Sequence, residues 1–309
     1  DCGSMAVDDD FIYVASGRHC LALEVLTGEV SRRISIPEKN LASSHEWGYV
    51  AKAGDLLIGS AVQKGGIRRQ HGHEGIRETY WDDRPPVCSE FLFAIDPKSG
   101  KAQWTYKPRQ NGVLVNSSLA IDAGKIHFLE SPLPADKGRL PYDKILAESK
   151  GFIVTLDLAT GKSIRREQLP AKSSVQNLYV VATKGIVLVV NSRNEKTVRY
   201  DVRAYDAESG KLLWERIQDN KLKPNGSHGE QDRHPVVLND ELYVEPMVYN
   251  LRTGIPVEGR KLARGGGCGS ISASANALYF RSRNPTAYLP STGKFSKITS
   301  VSRPGCWIN

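Results

Sequence analysis

Ala94-Ile95-Asp96-Pro97-Lys98-Ser99-Gly100-Lys101 is the stretch on which the fold turns. An apolar run ends in an aspartate, a tight turn follows with Ser ahead of Gly, and Trp104 stands four residues beyond the glycine. Leu156-Asp157-Leu158-Ala159-Thr160-Gly161-Lys162 repeats the pattern, and so does Ala204-Tyr205-Asp206-Ala207-Glu208-Ser209-Gly210-Lys211, with Trp214 again four beyond its glycine. Weaker copies centre on Gly28, Gly254 and Gly293, where Glu24, Asn250 and Pro290 take the aspartate's place. Successive glycines are 72, 61, 49, 44 and 39 residues apart. The shorter spacings approach the roughly 40–45 residues of one four-stranded propeller blade. Glycine suits the turn because a tight hairpin needs positive φ, which costs a residue with a Cβ.

A second turn precedes each copy, at 8–10, 53–55, 123–125, 184–185, 239–240 and 275–276. A short β-branched or aromatic run follows each one, such as Phe11-Ile12-Tyr13-Val14 or Leu242-Tyr243-Val244. With four strands per unit lettered A to D, the upstream turn joins A to B and the glycine turn joins C to D. No segment sustains a long amphipathic helical period, although residues 137–149 have room for one short helix. The expected fold is an all-β propeller of four-stranded blades, with six recognisable units and the start of a seventh at Gly305-Cys306-Trp307.

The Ala-x-Asp-x-x-Ser-Gly-Lys-x-x-x-Trp pattern resembles the repeat of PQQ-like (quinoprotein alcohol dehydrogenase-like) propellers. The style of the chain, ending in Arg303-Pro304-Gly305-Cys306-Trp307, resembles planctomycete PQQ-binding-like propellers. The resemblance implies that the aspartates (Asp96, Asp157, Asp206) cap their turns beside Gly100, Gly161 and Gly210, and that Trp104 and Trp214 dock between neighbouring blades. It is specific for fold and nearly silent on activity, because the repeat serves both PQQ dehydrogenases and non-catalytic scaffolds of the outer-membrane assembly lipoprotein type. The vicinal cysteine pair usual in the dehydrogenases is missing, as is a Cys-x-x-Cys-His haem motif. PQQ, haem or a metal ion is thus an implied possibility that no motif supports.

The chain's 309 residues read as a single propeller domain over 1–309. It opens on Asp1 and stops at Trp307-Ile308-Asn309 as a strand begins, so a processed or truncated part of a longer chain is expected, with seven or eight blades when intact. No apolar run reaches the roughly 20 residues of a membrane-spanning helix. The style of the chain points to export, to the periplasm or cell surface. Net charge is +8, from 42 Lys and Arg against 34 Asp and Glu. That excess admits an anionic ligand. The basic clusters are separate and lack interleaved aromatics, which argues against nucleic acid.

Strand order sorts the insertions by face. B–C loops and D–A links leave one end of a blade, and the other two turns leave the opposite end. Residues 62–90, 131–150, 191–200 and 217–233 all fall at the B–C end, the expected binding face, since long loops on a rigid scaffold carry recognition. The partner expected there is a protein or a larger assembly.

Strand A lies nearest the axis. Counting back from the A–B turns aligns Cys2, Glu46, Asn116, Asn177, Asp232 or His234, Cys268 and Cys306 as an axial ring. Three readings fit its cysteines: a thiolate-containing metal or cofactor site, a disulfide such as Cys268 to Cys306 with one free thiol, or small buried core residues. Cys20 reads as core, and Cys88 stands where it can staple the longest insertion. Within that insertion His71, His73 and Glu74 form a His-x-His-Glu run that suits zinc or copper, a weak signal by itself. The functional expectation is a binding or scaffold module. The alternative is a quinoprotein-type oxidoreductase or electron-transfer domain with its cofactor at the axis.

Overall fold

A computed structural model describes residues 5–37, 44–67, 85–148, 150–170, 173–223, 233–264 and 270–301. Blade 1 comprises β1 (Met5–Val7), β2 (Phe11–Ser16), β3 (His19–Glu24) and β4 (Val30–Ser35). Blade 2 comprises β5 (His45–Ala53), β6 (Leu56–Gln63), β7 (Cys88–Ile95) and β8 (Ala102–Tyr106). After the linking strand β9 (Val113–Val115), blade 3 has β10 (Ala120–Asp122), β11 (Lys125–Ser131), β12 (Phe152–Asp157) and β13 (Ser163–Gln168). Blade 4 has β14 (Val175–Thr183), β15 (Ile186–Asn194), β16 (Val198–Asp206) and β17 (Leu212–Asp219). Blade 5 has β18 (Val236–Leu238), β19 (Glu241–Val244), β20 (Met247–Asn250) and β21 (Pro256–Lys261). Blade 6 has β22 (Ser272–Ala273), β23 (Leu278–Ser282), β24 (Asn284–Leu289) and β25 (Lys294–Lys297).

Each blade is an antiparallel meander in the order A-B-C-D, as the turn pattern predicts. Blades 2 and 3 are fused, because β9 pairs with both β7 and β11. The chain divides into two compact units. Among the described residues the first takes in those from 5 to 67, from 85 to 173 and 182–184, and the second those of 174–181 and from 185 to 301.

The B and C strands are apolar on both faces because both faces are covered. In blade 2, Leu57, Ala61, Phe91, Phe93 and Ile95 pack toward blade 1, against Tyr13, Cys20, Ala22 and Ile34. The alternate residues Ile58, Leu92 and Ala94 pack toward blade 3, against Ile126, Phe128, Val154 and Leu156. In the second unit Leu242 and Val244 of β19 join blade 4 residues such as Leu188 and Tyr200, while Tyr243 joins Leu278 and Phe280 of blade 6. The two-residue side-chain period of a strand thereby builds a core on each side of a sheet.

The glycine turns behave as the repeat predicts. Asp96 accepts from the Lys98 N–H at 2.8 Å and the Ser99 hydroxyl at 2.6 Å. Asp157 and Asp206 do the same with Thr160 and Ser209. Hydrogen bonds from Ser99 and Thr160 hold the Asp96 and Asp157 carboxyls below the usual range. Trp104 donates its Nε1–H to Leu158 O of blade 3 at 2.9 Å, and Trp214 donates to Leu251 O of blade 5 at 3.0 Å. Each indole lies against the turn glycine of the next blade, so closely that a Cβ added to Gly161 or Gly254 would sit 2.5 Å from the ring.

Two expectations need correction. Residues 191–200 are not an inserted loop: β15 and β16 stay paired out to Asn194 and Val198, so the segment is the tip of a long hairpin. Val190 and Val198 are fully buried there, which favours extending the ladder over releasing a loop. Cys88 does not staple the insertion: it is a free thiol, wholly buried, with burial pushing its pKa up to about 12. Cys20 is core, as read. The short helix materialises as one turn over Lys144–Glu148, a π-helix that buries Ile145 and Leu146. Among the described residues no helix is long and apolar enough to cross a membrane.

Candidate functional site

In the first unit the B–C insertions of blades 2 and 3 meet. Arg139, in the blade 3 insertion, donates from Nε to Gly66 O at 3.0 Å and from Nη1 to Pro85 O at 2.8 Å, so it grips both stems of the blade 2 insertion. Val87 and Arg139 form an antiparallel bridge, and Cys88 N–H donates to Gly138 O at 2.8 Å. Gly138 is required here: its φ is +74°, and an added Cβ would come within 2.8 Å of Val62. The described part of these two insertions is therefore one braced platform.

Beneath the platform lies a buried polar layer. His45 bridges Ser44 Oγ at 2.8 Å and Glu90 Oε2 at 3.0 Å, and Glu90 Oε1 accepts from Gln63 at 2.6 Å. Glu46, 4% exposed, accepts from the Gly65 N–H at 3.1 Å. The Ser44–His45–Glu90 chain can relay a proton; structurally it ties the first residues of β5 to the base of the insertion. Deeper in, Ser89 Oγ lies 2.7 Å from Asn116 Oδ1 and 2.9 Å from Ser60 Oγ. Asn116 Nδ2 is buried without a partner among the described residues. Gly48 makes room for it, since a Cβ there would meet Asn116 Nδ2 at 2.5 Å.

Of the aligned axial residues, Glu46 and Asn116 lie in the first unit and Asn177 and His234 in the second. His234 packs against Tyr179, with ring centroids 4.3 Å apart and ring planes tilted by 52°, and its Nδ1 lies 2.9 Å from Pro235 O. Burial lowers its pKa. Asn177 shares β14 with Tyr179, two residues away and so on the same face. Cys2, Asp232, Cys268 and Cys306 lie outside the described residues, as do His71, His73 and Glu74. Among the described residues no group of three or more His, Cys, Asp or Glu is placed to hold a metal ion. In the first unit Glu46 spends an oxygen on a backbone N–H, and Asn116 Oδ1 is engaged by serines.

Sequence reasoning missed two clusters. Glu245, 1% exposed, sits in the β19–β20 turn between two arginines: Arg233 Nη1 lies at 2.9 Å, Arg264 Nε at 2.7 Å and Arg264 Nη2 at 2.5 Å. Arg233 comes from the link entering blade 5 and Arg264 from the link leaving it, so one buried carboxylate ties both links to the B–C end of the blade. In blade 4, Arg193 forms a two-pronged pair with Asp201, which also accepts from Asn191 at 3.0 Å. The available signal was an ionisable residue inside an apolar strand pattern, a position that demands a partner.

No protein-family profile matches the chain. Quinohemoprotein alcohol dehydrogenase ADH IIB of Pseudomonas putida is 33% identical over 128 residues, covering 40% of this chain and 17% of that protein. The dehydrogenase subunit of the quinone alcohol dehydrogenase of Komagataeibacter europaeus is 28% identical over 155 residues, covering 45% of this chain and 18% of that subunit. The matched stretch is thus less than a fifth of either relative. Among solved structures, BamB from Moraxella catarrhalis aligns with a TM-score of 0.50 at 12% identity, covering 95% of this chain and 72% of that one. A chain of the mitotic checkpoint complex aligns with a TM-score of 0.56 at 12% identity, covering 99% and 82%. At that identity the structural likeness concerns fold alone, and it places the blades among β-propellers. The repeat is that of the quinoprotein alcohol dehydrogenase-like propellers.

Proposed function

We propose that this quinoprotein-like propeller chain is an exported binding or scaffold module that engages a protein partner through its B–C insertions. The observation that carries the reading is the Arg139 brace. It joins two insertions into one rigid surface, and rigid loops bind without a large ordering cost. Export rests on the resemblance of the repeat. Photo-crosslinkers placed at Leu133, in the blade 3 insertion, and at Lys211, in a glycine turn at the other end of its blade, test the surface in host extract. A discrete crosslinked species from position 133 and none from 211 is expected; equal yields from the two overturn the choice of face.

The sequence similarity to quinoprotein dehydrogenases favours a second reading, an oxidoreductase domain. A quinone would supply reversible two-electron chemistry, and His234 or Asn177 would then be candidate contacts. Titration of the purified protein with PQQ and Ca²⁺, followed by absorption and metal analysis after gel filtration, separates the two. The module reading expects no retained chromophore; stoichiometric retention overturns it.

A further inference from the structure

The junction between blades 1 and 2 departs from two of its counterparts at the end of the sheets opposite the insertions. Between blades 2 and 3, and again between blades 4 and 5, an indole covers the turn glycine and bonds the carbonyl of the residue after the turn's Asp or Asn, Leu158 O or Leu251 O. Between blades 1 and 2 the residue four beyond Gly28 is Arg32. Its Nη1 donates to Pro97 O at 2.7 Å, the equivalent carbonyl, and to Lys98 O at 3.2 Å. The guanidinium lies 4.8 Å from the Phe11 ring centroid. Gly100, where the indole would rest, has nothing within 4 Å of an added Cβ.

A cavity of about 390 Å³ opens there, bounded by Phe11, Tyr13, Leu56 and Pro97 on its apolar side. That volume falls at the lower end of small-ligand sites. Its charged lining is Asp8, Asp10, Asp55 and Asp96 with Arg32, Lys52 and Lys98. Arg32 is engaged by the two carbonyls, and Lys52 is engaged by Asp8 at 3.6 Å and by Gly54 O. Asp8 also accepts from the Tyr13 hydroxyl at 3.1 Å. The Asp10 and Asp55 carboxylates are exposed at the rim.

We propose that this cavity is a binding site for an aromatic ring bearing an ammonium or guanidinium group. The ring packs against Phe11, Tyr13 and Pro97 beside Arg32, the residue that stands where the chain sets its own tryptophan at two other junctions. The cation meets Asp10 and Asp55. Free aromatic amines and a tryptophan flanked by lysine in a partner polypeptide share this chemistry.

Calorimetric titration with tryptamine, N-acetyltryptophanamide and the peptide acetyl-Lys-Trp-Lys-amide tests the site. Saturable tryptamine binding is expected, weakened about tenfold or more in Arg32→Trp, whose indole fills the cavity from within. The Asp10→Asn, Asp55→Asn double variant should weaken tryptamine while leaving the uncharged N-acetyltryptophanamide unchanged. Peptide binding about tenfold tighter than tryptamine assigns the site to a polypeptide; weaker peptide binding assigns it to a free amine. Absence of saturation by tryptamine, or equal affinity in wild type and Arg32→Trp, overturns the proposal. If Arg32→Trp does not fold, unchanged tryptamine affinity in the double variant overturns it alone.

Discussion

Gly100 and Gly161 hold the same place in successive turns, with φ of +69° and +67°, and differ only in what lies beyond them. Alanine at 100 meets open space and incurs the left-handed backbone penalty alone, about 1 kcal/mol. Alanine at 161 must also displace the Trp104 ring, so a loss of about 3 kcal/mol is expected. Urea midpoints of the two variants check this, and equal losses would show that the indole yields freely. His127 carries a second prediction at this scale. It is 1% exposed and faces Thr155 at 3.0 Å. Burial, with Arg165 and Lys125 adding, lowers its pKa from 6.5 to about 4. A depressed histidine pKa favours the fold while the ring is neutral in both states. The unfolded chain gains a proton first as pH falls, so stability drops between about pH 6.5 and 4, by about 3 kcal/mol at most. His127→Gln should flatten that part of the profile, measured as variant minus wild type in urea midpoint at pH 7 and pH 4.5. Residue identity alone hid some of this. Asn250 reads as a degenerate aspartate, yet its Oδ1 accepts from the Arg252 and Thr253 N–H groups and the Thr253 hydroxyl, as an aspartate would. A neutral amide oxygen has the same reach, and the turn uses the acceptor more than the charge.

Strand D lies at one edge of each blade and strand A at the other. Three of the D strands carry several charges: Arg32 and Arg33 in β4, Arg165, Arg166 and Glu167 in β13, and Glu215, Arg216 and Asp219 in β17. Charge on an edge discourages pairing with another chain. Exposed apolar residues lie beside it, among them Val30, Ile164, Leu212 and Ile217. Arg33→Val removes a solvent-exposed charge from β4 and leaves the core untouched, so faster aggregation at unchanged urea midpoint is expected; light scattering on heating measures it, and an unchanged onset would count against edge protection. Insertions respond to a different device. Arg139→Met keeps the stem and loses both carbonyl bonds, so limited proteolysis should cut within 64–87 or 132–151 several times faster than in wild type while the sheets stay folded. These elements were legible in the sequence to different degrees. Strand order and turns followed from spacing, because φ-positive glycines and capping acceptors are local requirements. The Arg139 brace and the Arg233–Glu245–Arg264 tie depend on which loops meet in space, and spacing carries no such information. The 191–200 segment misread as a loop shows the same limit, since polar residues such as Asn191 and Asp201 mark a buried pair and not a surface.

Across the whole chain ion pairing uses six arginines against five carboxylates and so leaves the excess of eight positive charges nearly unchanged. Many arginines are consumed locally: Arg166 by Glu130, Arg193 by Asp201, Arg203 by Glu215, Arg260 by Glu241, and Arg233 with Arg264 by Glu245. Several of these carboxylates are buried, so their pairs hold links and strands in place and offer little field to solvent. A polyanion-binding groove needs cations in a continuous free stripe. The sequence reading against nucleic acid rests on separated clusters and is tested by salt dependence. Retention on a heparin matrix is therefore expected near 0.01 M salt, where screening extends about 30 Å and net charge acts at a distance, and should vanish by about 0.15 M, where it falls to about 8 Å. Elution only above about 1 M salt would show that a concentrated basic surface exists after all, and would move the search for a partner from proteins to anionic polymers.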